Sequence, residues 1–369
     1  MVLFGSQKER VLTHEQKNCY DAERKGGKDM ILSDRKKKIL KAVVDDYIET
    51  AEPVSSKNIC DKYLSDCSPA TVRNELSALE SMGYLVQPHV SAGRIPSEKA
   101  FRLYVDELMT AKPLSEEEIK VIDGYFRRKT DSVEELVNNV AKVISEITNL
   151  TSVVVQTPDE DDVIRKVTVV ELSSKTALLV VVTDSSVIKD NIIDLPEGMD
   201  SESVTTANAW LNKVFVGKKV SDAVDYQAIR SDLVVDFALY KELYRQIVEI
   251  LKKSSSEKGE VLTSGSGKIF DYPEYSDASR AKDFLMRLES KENLAEIFDT
   301  SKENIEVVVK IAGEEENLPE GCSSVSAKIS VNDKTVGSAG VIGPVRMDYT
   351  KVISVLEHIG KLIDKIMTE

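Results

Sequence analysis

The stretch Ser68-Pro69-Ala70-Thr71-Val72-Arg73-Asn74-Glu75-Leu76-Ser77-Ala78-Leu79, closed by Gly83, decides how the front of this chain folds. Ser68 is placed to accept the free amides of a helix start, and Pro69 fits the first turn, where its missing N–H costs nothing. Val72, Leu76 and Leu79 recur at helical steps as a buried stripe, and Gly83 is placed to stop the helix in the left-handed conformation. That stripe leaves Ala70, Thr71, Arg73, Asn74 and Ser77 on other faces near the N-terminal half.

Working outward, Ser33 caps an earlier helix carrying Ile39, Leu40, Val43, Val44, Tyr47 and Ile48, which ends between Glu49 and Pro53. Ser55 caps a short second helix with Ile59, Tyr63 and Leu64. After Gly83, Tyr84-Leu85-Val86 reads as a strand and Ser91-Ala92-Gly93 as a tight turn. Ser97 then caps a helix with Phe101, Tyr104, Val105 and Leu108. Three short helices followed by a strand, a turn and a return strand make a winged helix-turn-helix. Its third helix normally enters the major groove by its N-terminal half.

The residue types there suit that task. Arg73 can grip guanine O6 and N7, Asn74 can read adenine, and small Ala70 and Thr71 can touch a thymine methyl. Ser68, Ser77 and the helix's free amides can hold phosphate, as can Ser56 and Lys57 at the start of the second helix. His89, Ser91, Gly93 and Arg94 flank the wing turn, where Arg94 can meet DNA or pair with an acidic neighbour. A lone Arg-Asn pair on a helix is ordinarily just solvated; the surrounding helix-turn-helix and wing give this one a reading role.

A net charge of −14 over 369 residues argues against nucleic acid only until it is divided. Residues 30–104 carry eleven Lys/Arg against ten Asp/Glu and residues 1–29 six against five, which leaves −16 for residues 105–369. An acidic body repels DNA while a near-neutral head is free to bind it. With 41% hydrophobic and 30% charged residues the chain is an ordinary globular one with room for two or three domains. No run of about 18 apolar residues exists for a membrane span. Cys19, Cys60, Cys67 and Cys322 form no CxxC, and His14, His89 and His358 are scattered. A reducing cytoplasm is therefore expected, with neither a metal nor a disulfide framework.

Beyond Pro113 the pattern reads as helices over 116–128 and 132–149, then strands Ser152–Gln156, Ile164–Leu172, Ala177–Thr183 and Val187–Leu195. Residues 201–253 switch to helix, with Leu233, Phe237, Tyr240, Tyr244, Ile247, Val248 and Leu251 down one face. Helices near 277–289 and 291–298, strands Ile305–Ile311, Ser324–Val331 and Val336–Ile342, and a helix from Tyr349 to about Ile366 complete the chain. Residues 1–29, with Lys25-Gly26-Gly27-Lys28, show no periodicity and read as a disordered tail or as a translated leader ahead of a start at Met30.

Catalytic motifs fail. Gly265-Ser266-Gly267-Lys268 is no phosphate loop, because Leu262 and Ile269 stand where glycine and Ser/Thr are needed. Asp159 to Asp162 reads as a solvated turn. Gly337, Gly340 and Gly343 with Pro344 read as strand packing or turns rather than an anion cradle. No catalytic residues and no cofactor are expected.

The block from Ile31 to Lys57, the block from Ser68 to Asp106, Leu178–Asp184, Pro273–Asp277 and the tail Val336–Asp364 (VGSAGVIGPVRMDYTKVISVLEHIGKLID) together resemble the HrcA family of heat-inducible transcription repressors. The resemblance runs from about Met30 to the C-terminus and implies an α+β multidomain protein. Its parts would be an extension over 1–29, a winged-helix domain over 30–110, and a GAF-like sheet domain over 111–200 and 301–369 with a helical dimerisation domain inserted over 201–300. It also implies a homodimer on a double-stranded inverted-repeat operator of the CIRCE type upstream of chaperone operons, and dependence on the GroE chaperonin. Ser55-Ser56-Lys57 stands where relatives commonly carry Gly-Ser-Arg, and Val345 where Thr is common. The first exchanges a guanidinium fork for a point charge at a phosphate contact. The stripe Leu233, Phe237, Tyr240, Tyr244, Ile247 and Leu251 is the candidate dimer surface, with packing inside its own subunit as the alternative. A winged-helix repressor controlled by a small effector in the sheet domain, and an enzyme with a DNA-binding head, are the other function classes. A ligand that shifts melting would favour the first of these, and turnover without DNA the second.

Overall fold

The computed structural model describes residues 32–65, 67–110, 112–126, 133–156, 162–184, 188–223, 238–256, 261–300, 307–315, 317–331 and 334–368. The tail 1–29, Leu233, Phe237 and Asp159 to Asp161 lie outside them. The chain divides into two units, one spanning 1–130, 134–156 and 260–369, the other 131–133 and 157–259.

The first unit begins with α1 (Asp34–Thr50), α2 (Ser56–Lys62) and α3 (Pro69–Ser81). Each starts at an expected serine. Ser33, Ser55 and Ser68 accept the backbone N–H of Lys36, Asn58 and Thr71 at 3.4, 3.1 and 3.2 Å. Gly83 takes φ +78°, a left-handed conformation that follows the end of α3. The wing is β1 (Leu85–Val86) against β2 (Ile95–Pro96), antiparallel with Leu85 opposite Pro96. Ser97 caps α4 (Glu98–Leu103), which widens into a π turn over Tyr104–Leu108.

The stripe of α1 is buried as expected at Ile39, Leu40, Val43 and Val44, and so is Asp46, at 1% exposure. Its carboxylate accepts from Asn58 Nδ2 (2.6 Å) and Lys62 Nζ (2.9 Å), both on α2. A buried acid held by these donors, with the Tyr63 hydroxyl at 3.5 Å beside them, is a strut that fixes α2 against α1.

After α5 (Glu116–Phe126) and α6 (Val133–Thr148) come β3 (Thr151–Gln156) and, in the second unit, β4 (Ile164–Glu171), β5 (Thr176–Thr183), β6 (Ile188–Asp194), α7 (Ser201–Phe215), α8 (Val220–Ala223) and α9 (Ala238–Ser256). The first unit resumes with β7 (Val261–Ser264), α10 (Ala278–Glu289), α11 (Lys291–Ile297), β8 (Val307–Lys310), β9 (Cys322–Val331), β10 (Lys334–Pro344) and α12 (Tyr349–Thr368). Its five-stranded sheet is antiparallel throughout in the order β7-β3-β10-β9-β8. At Gly340 a Cβ would lie 1.9 Å from the Val325 carbonyl oxygen, so that glycine serves close strand packing.

The division of the body differs from the sequence boundaries. Helices α10 and α11, expected within 201–300, bury Phe284, Leu288, Leu294 and Ile297 together with Val153, Val261 and Ile342 of the five-stranded sheet. Strands β4 to β6, expected in the sheet domain, pair only with one another among the described strands. Their inner face, with Val167, Leu179 and Val181, packs on Leu211 and Phe215 of α7 and Leu243 of α9. Periodicity locates strands but carries no information on which sheet they join.

The candidate dimer stripe is corrected by the same core. Tyr244 is 1% exposed, stacks on Phe215 at 5.3 Å between ring centroids, and sits with Ile247 and Leu251 inside the second unit. Tyr240 is half-buried and stacks on Trp210 at 5.9 Å. These side chains are spent within their own subunit.

A candidate nucleic-acid interface

On α3 the residues Ala70, Arg73, Asn74 and Ser77 are all exposed and spaced i, i+3, i+4, i+7, so they form one continuous face opposite Val72, Leu76 and Leu79. Among the described residues Arg73 has no ion pair, which leaves its five donors available. Thr71 is turned partly aside: its hydroxyl lies 2.9 Å from Ser68 Oγ, so the pair completes the helix cap.

The two acids of this helix are neutralised from neighbouring elements. Glu75 pairs with Lys36 of α1 at 2.7 Å, and Glu80 pairs with Arg94 at the base of the wing at 2.8 Å. An uncompensated carboxylate beside such a face would repel phosphate; with both compensated, the helix presents its Arg-Asn face without that penalty.

The same accounting explains how a head of nearly zero net charge offers cations. Lys36, Lys37, Lys41, Lys62, Arg94 and Arg102 are held by carboxylates, and Lys99 lies on the Met82 carbonyl and the Tyr84 ring. Arg35, Lys38, Lys57 and Arg73 are exposed, and among the described residues they have no partner. Lys57 stands at the second residue of α2, with half-buried Ser56 before it.

The wing tip is a turn over His89–Ala92, closed by the Ala92 N–H on the His89 carbonyl at 2.9 Å. Gln87 pins it, its side-chain amide donating to the carbonyls of Val90 and Ala92, both at 3.0 Å. His89 and Ser91 are exposed, and Val90 between them is 99% exposed. Neither Gln87 nor Val90 was expected in the site. An apolar residue among turn formers carries no signal until the turn thrusts it out.

Two wing residues serve the fold, and Arg94 takes the second of its two readings, a pair with an acidic neighbour. Arg94 does not face outward; its Nε donates to Glu80 at 2.9 Å, and its backbone bridges that of Val54 in both directions at 2.8 and 2.9 Å. Gly93 is glycine because a Cβ there would lie 2.4 Å from the Val54 carbonyl oxygen. Both residues lock the wing to the turn between α1 and α2.

A family model described as the winged helix-turn-helix transcription repressor, HrcA DNA-binding domain, matches residues 31–107, and one for the HrcA protein C-terminal domain matches 134–353. A heat-inducible transcription repressor HrcA from Clostridium botulinum is 37% identical over 345 residues, covering 92% of this chain and 98% of the relative. The repressor of the same name from Ruminiclostridium cellulolyticum is 35% identical over 343 residues, covering 91% and 97%. A crystal structure of a hypothetical protein superposes with a TM-score of 0.57 at 21% identity, covering 91% of this chain and 98% of the other, which shows a shared fold. No helix among the described residues is long and apolar enough to cross a membrane. With an exposed polar face on α3, a pinned wing and matches to both of its domain models, the chain belongs to the HrcA family of transcription repressors, DNA-binding regulators and not enzymes.

Proposed function

We propose that this protein represses heat-shock chaperone operons from the cytoplasm by binding, as a homodimer, an inverted-repeat operator of the CIRCE type, and that the GroE chaperonin modulates its activity. The observation that carries the DNA reading is the exposed face Ala70–Arg73–Asn74–Ser77 on a helix whose acids are both compensated. Ser56, Lys57, Ser68 and the wing-tip residues His89 and Ser91 serve the phosphates or the flanking groove. The chaperonin dependence and the GAF-like character of the five-stranded sheet are supported by the family to which the chain belongs.

The dimer is assigned to the outer face of the three-stranded sheet. Val170, Leu178 and Ile192 stand in one cross-strand row, and Ile192 is 73% exposed. Both edges of that sheet are occupied by side-chain amides. Asn208 and Asn212 of α7 bond both backbone groups of Val169 and Val167 at 2.6–3.1 Å, and Gln246 of α9 does the same for Asp194 at 3.0 Å. Amides that mimic a strand leave the apolar face, rather than the edges, for a second copy.

A small-effector repressor is the less favoured reading. Both domain models and the curated relatives are heat-inducible repressors, and in the cavity beside Arg346, of about 150 Å³, the cations Arg346 and Lys351 are already paired with Glu274 and Glu118. Footprinting of purified protein on the region upstream of its own gene, with and without chaperonin, tests the proposal. Protection of an inverted repeat that strengthens with chaperonin is expected, and no protection in either condition refutes it.

A further inference from the structure

The joint between the winged helix and the five-stranded sheet lies within the first unit and is built in an unusual way. Two arginines cross it in opposite directions. Arg102 on α4 sends Nη1 into the body, to the Val309 carbonyl at 3.0 Å and to Glu314 at 3.2 Å, while its Nε and Nη2 hold Asp106 at 3.1 and 2.8 Å. Arg346 of the body sends Nη1 into the head, to the Ile48 carbonyl at 3.3 Å. That carbonyl lies in the last turn of α1, where no amide further along the helix reaches it. Glu274 grips Arg346 through Nε and Nη2, and its guanidinium lies 5.3 Å from the centroid of the Tyr272 ring.

An aromatic chain also crosses the joint. Tyr47 of α1 meets Phe101 of α4 at 6.4 Å between centroids, and Phe101 meets Tyr349 of α12 at 6.3 Å. Phe101 and Tyr349 are buried. The connection from the winged helix to the body is tied down as well, since Ser354 of α12 donates to the Lys112 carbonyl at 2.7 Å. Each guanidinium is held by a carboxylate fork on its own side and sends one nitrogen across the joint, so charge-assisted bonds at two points together with the aromatic contact restrain rotation as well as distance. In this docked arrangement the face of α3 with Arg73 and Asn74 stays exposed.

We propose that Arg346 and Arg102 are positioning residues for operator recognition. Together they set the orientation of the head on the five-stranded sheet, and so narrow the half-site spacings that a dimer reads. This rests on the proposal that the protein binds an inverted repeat as a dimer. A rigid head makes the second half-site contact effectively intramolecular at one spacing only; a head on a loose tether reaches several spacings, each less favourably.

The test uses full-length Arg346→Ala, Arg102→Ala and the double variant on three kinds of duplex. One is cut from the region the protein protects upstream of its own gene, one carries a single half-site, and the third kind lengthens the spacer one base pair at a time. Loss of either anchor should weaken binding to the natural spacing about ten-fold, keep the single half-site within about two-fold, and shrink the penalty for an altered spacer. Melting followed by circular dichroism shows that each variant is folded, and Glu274→Gln, which loosens the grip on Arg346 without removing it, gives the intermediate effect. An unchanged spacer profile in the double variant overturns the proposal. So does tighter operator binding, which would mean that docking blocks DNA, or an equal loss on the single half-site. If the unaltered protein binds the single half-site as tightly as the natural duplex, or fails to tell that duplex from unrelated DNA, the dimeric operator reading fails instead.

Discussion

Arg94 Nε donates to Glu80 across 2.9 Å, so the wing is tied to α3 by a cation whose position in the sequence allowed either a DNA contact or this pairing. The pair is partly buried, at 16% and 34% exposure, and contributes on the order of 1 kcal/mol to stability. Arg94→Ala should therefore cost about that much stability and also weaken DNA binding, because Glu80 is left uncompensated beside the reading face. Removing both charges should recover part of the DNA affinity. A double-mutant cycle read by melting and by fluorescence anisotropy checks this; fully additive DNA effects would show that the pair does not act as a unit.

Arg73→Ala should weaken specific binding by about 1–3 kcal/mol with little effect on unrelated DNA. Lys57→Ala should weaken both alike and lower the salt slope by about one. The discriminating quantity is the specific-to-non-specific ratio measured across salt concentrations. If Arg73→Ala leaves that ratio unchanged, the reading face lies elsewhere.

The two sides of the three-stranded sheet should respond oppositely to substitution. Ile192→Lys, on the open face, should yield a monomer by light scattering at nearly unaltered melting temperature. Tyr244→Ala, in the core, should cost about 3–5 kcal/mol of stability through the cavity it leaves. A tight dimer in Ile192→Lys would place the interface on another surface.

Acid stability has a named contributor. The Ser115 backbone N–H at 2.8 Å and Lys351 at 2.9 Å hold the Glu118 carboxyl well below the usual carboxylate range, at about 2. The folded pKa lies below the unfolded one, so the stabilisation is fully present above about pH 4.5 and disappears as pH falls toward 2. Glu118→Gln should lower the melting temperature at neutral pH, where the stabilisation is fully present, and should converge on the parent as pH falls toward 2, which flattens the acid limb. An unchanged acid limb would show that the pair does not couple to folding.

The amino-acid sequence by itself determined the local devices. Ser33, Ser55, Ser68 and Ser97 are caps because a serine hydroxyl bonds an amide three residues on, inside one segment. The stripes of α1 and α3 and the face Ala70–Arg73–Asn74–Ser77 follow from a helical period that needs no partner to be read. Tertiary structure decided everything that depends on what lies across the gap. Asp46 is a buried strut only because Asn58 and Lys62 arrive from α2, and Arg94 is a tether only because Glu80 is within reach. Strands β4 to β6 left the sheet they were expected to join, and Tyr244, Ile247 and Leu251 became core rather than interface. An apolar stripe records that a face is covered but carries no trace of what covers it, because hydrophobic burial has no direction and is indifferent to whether the covering chain is its own.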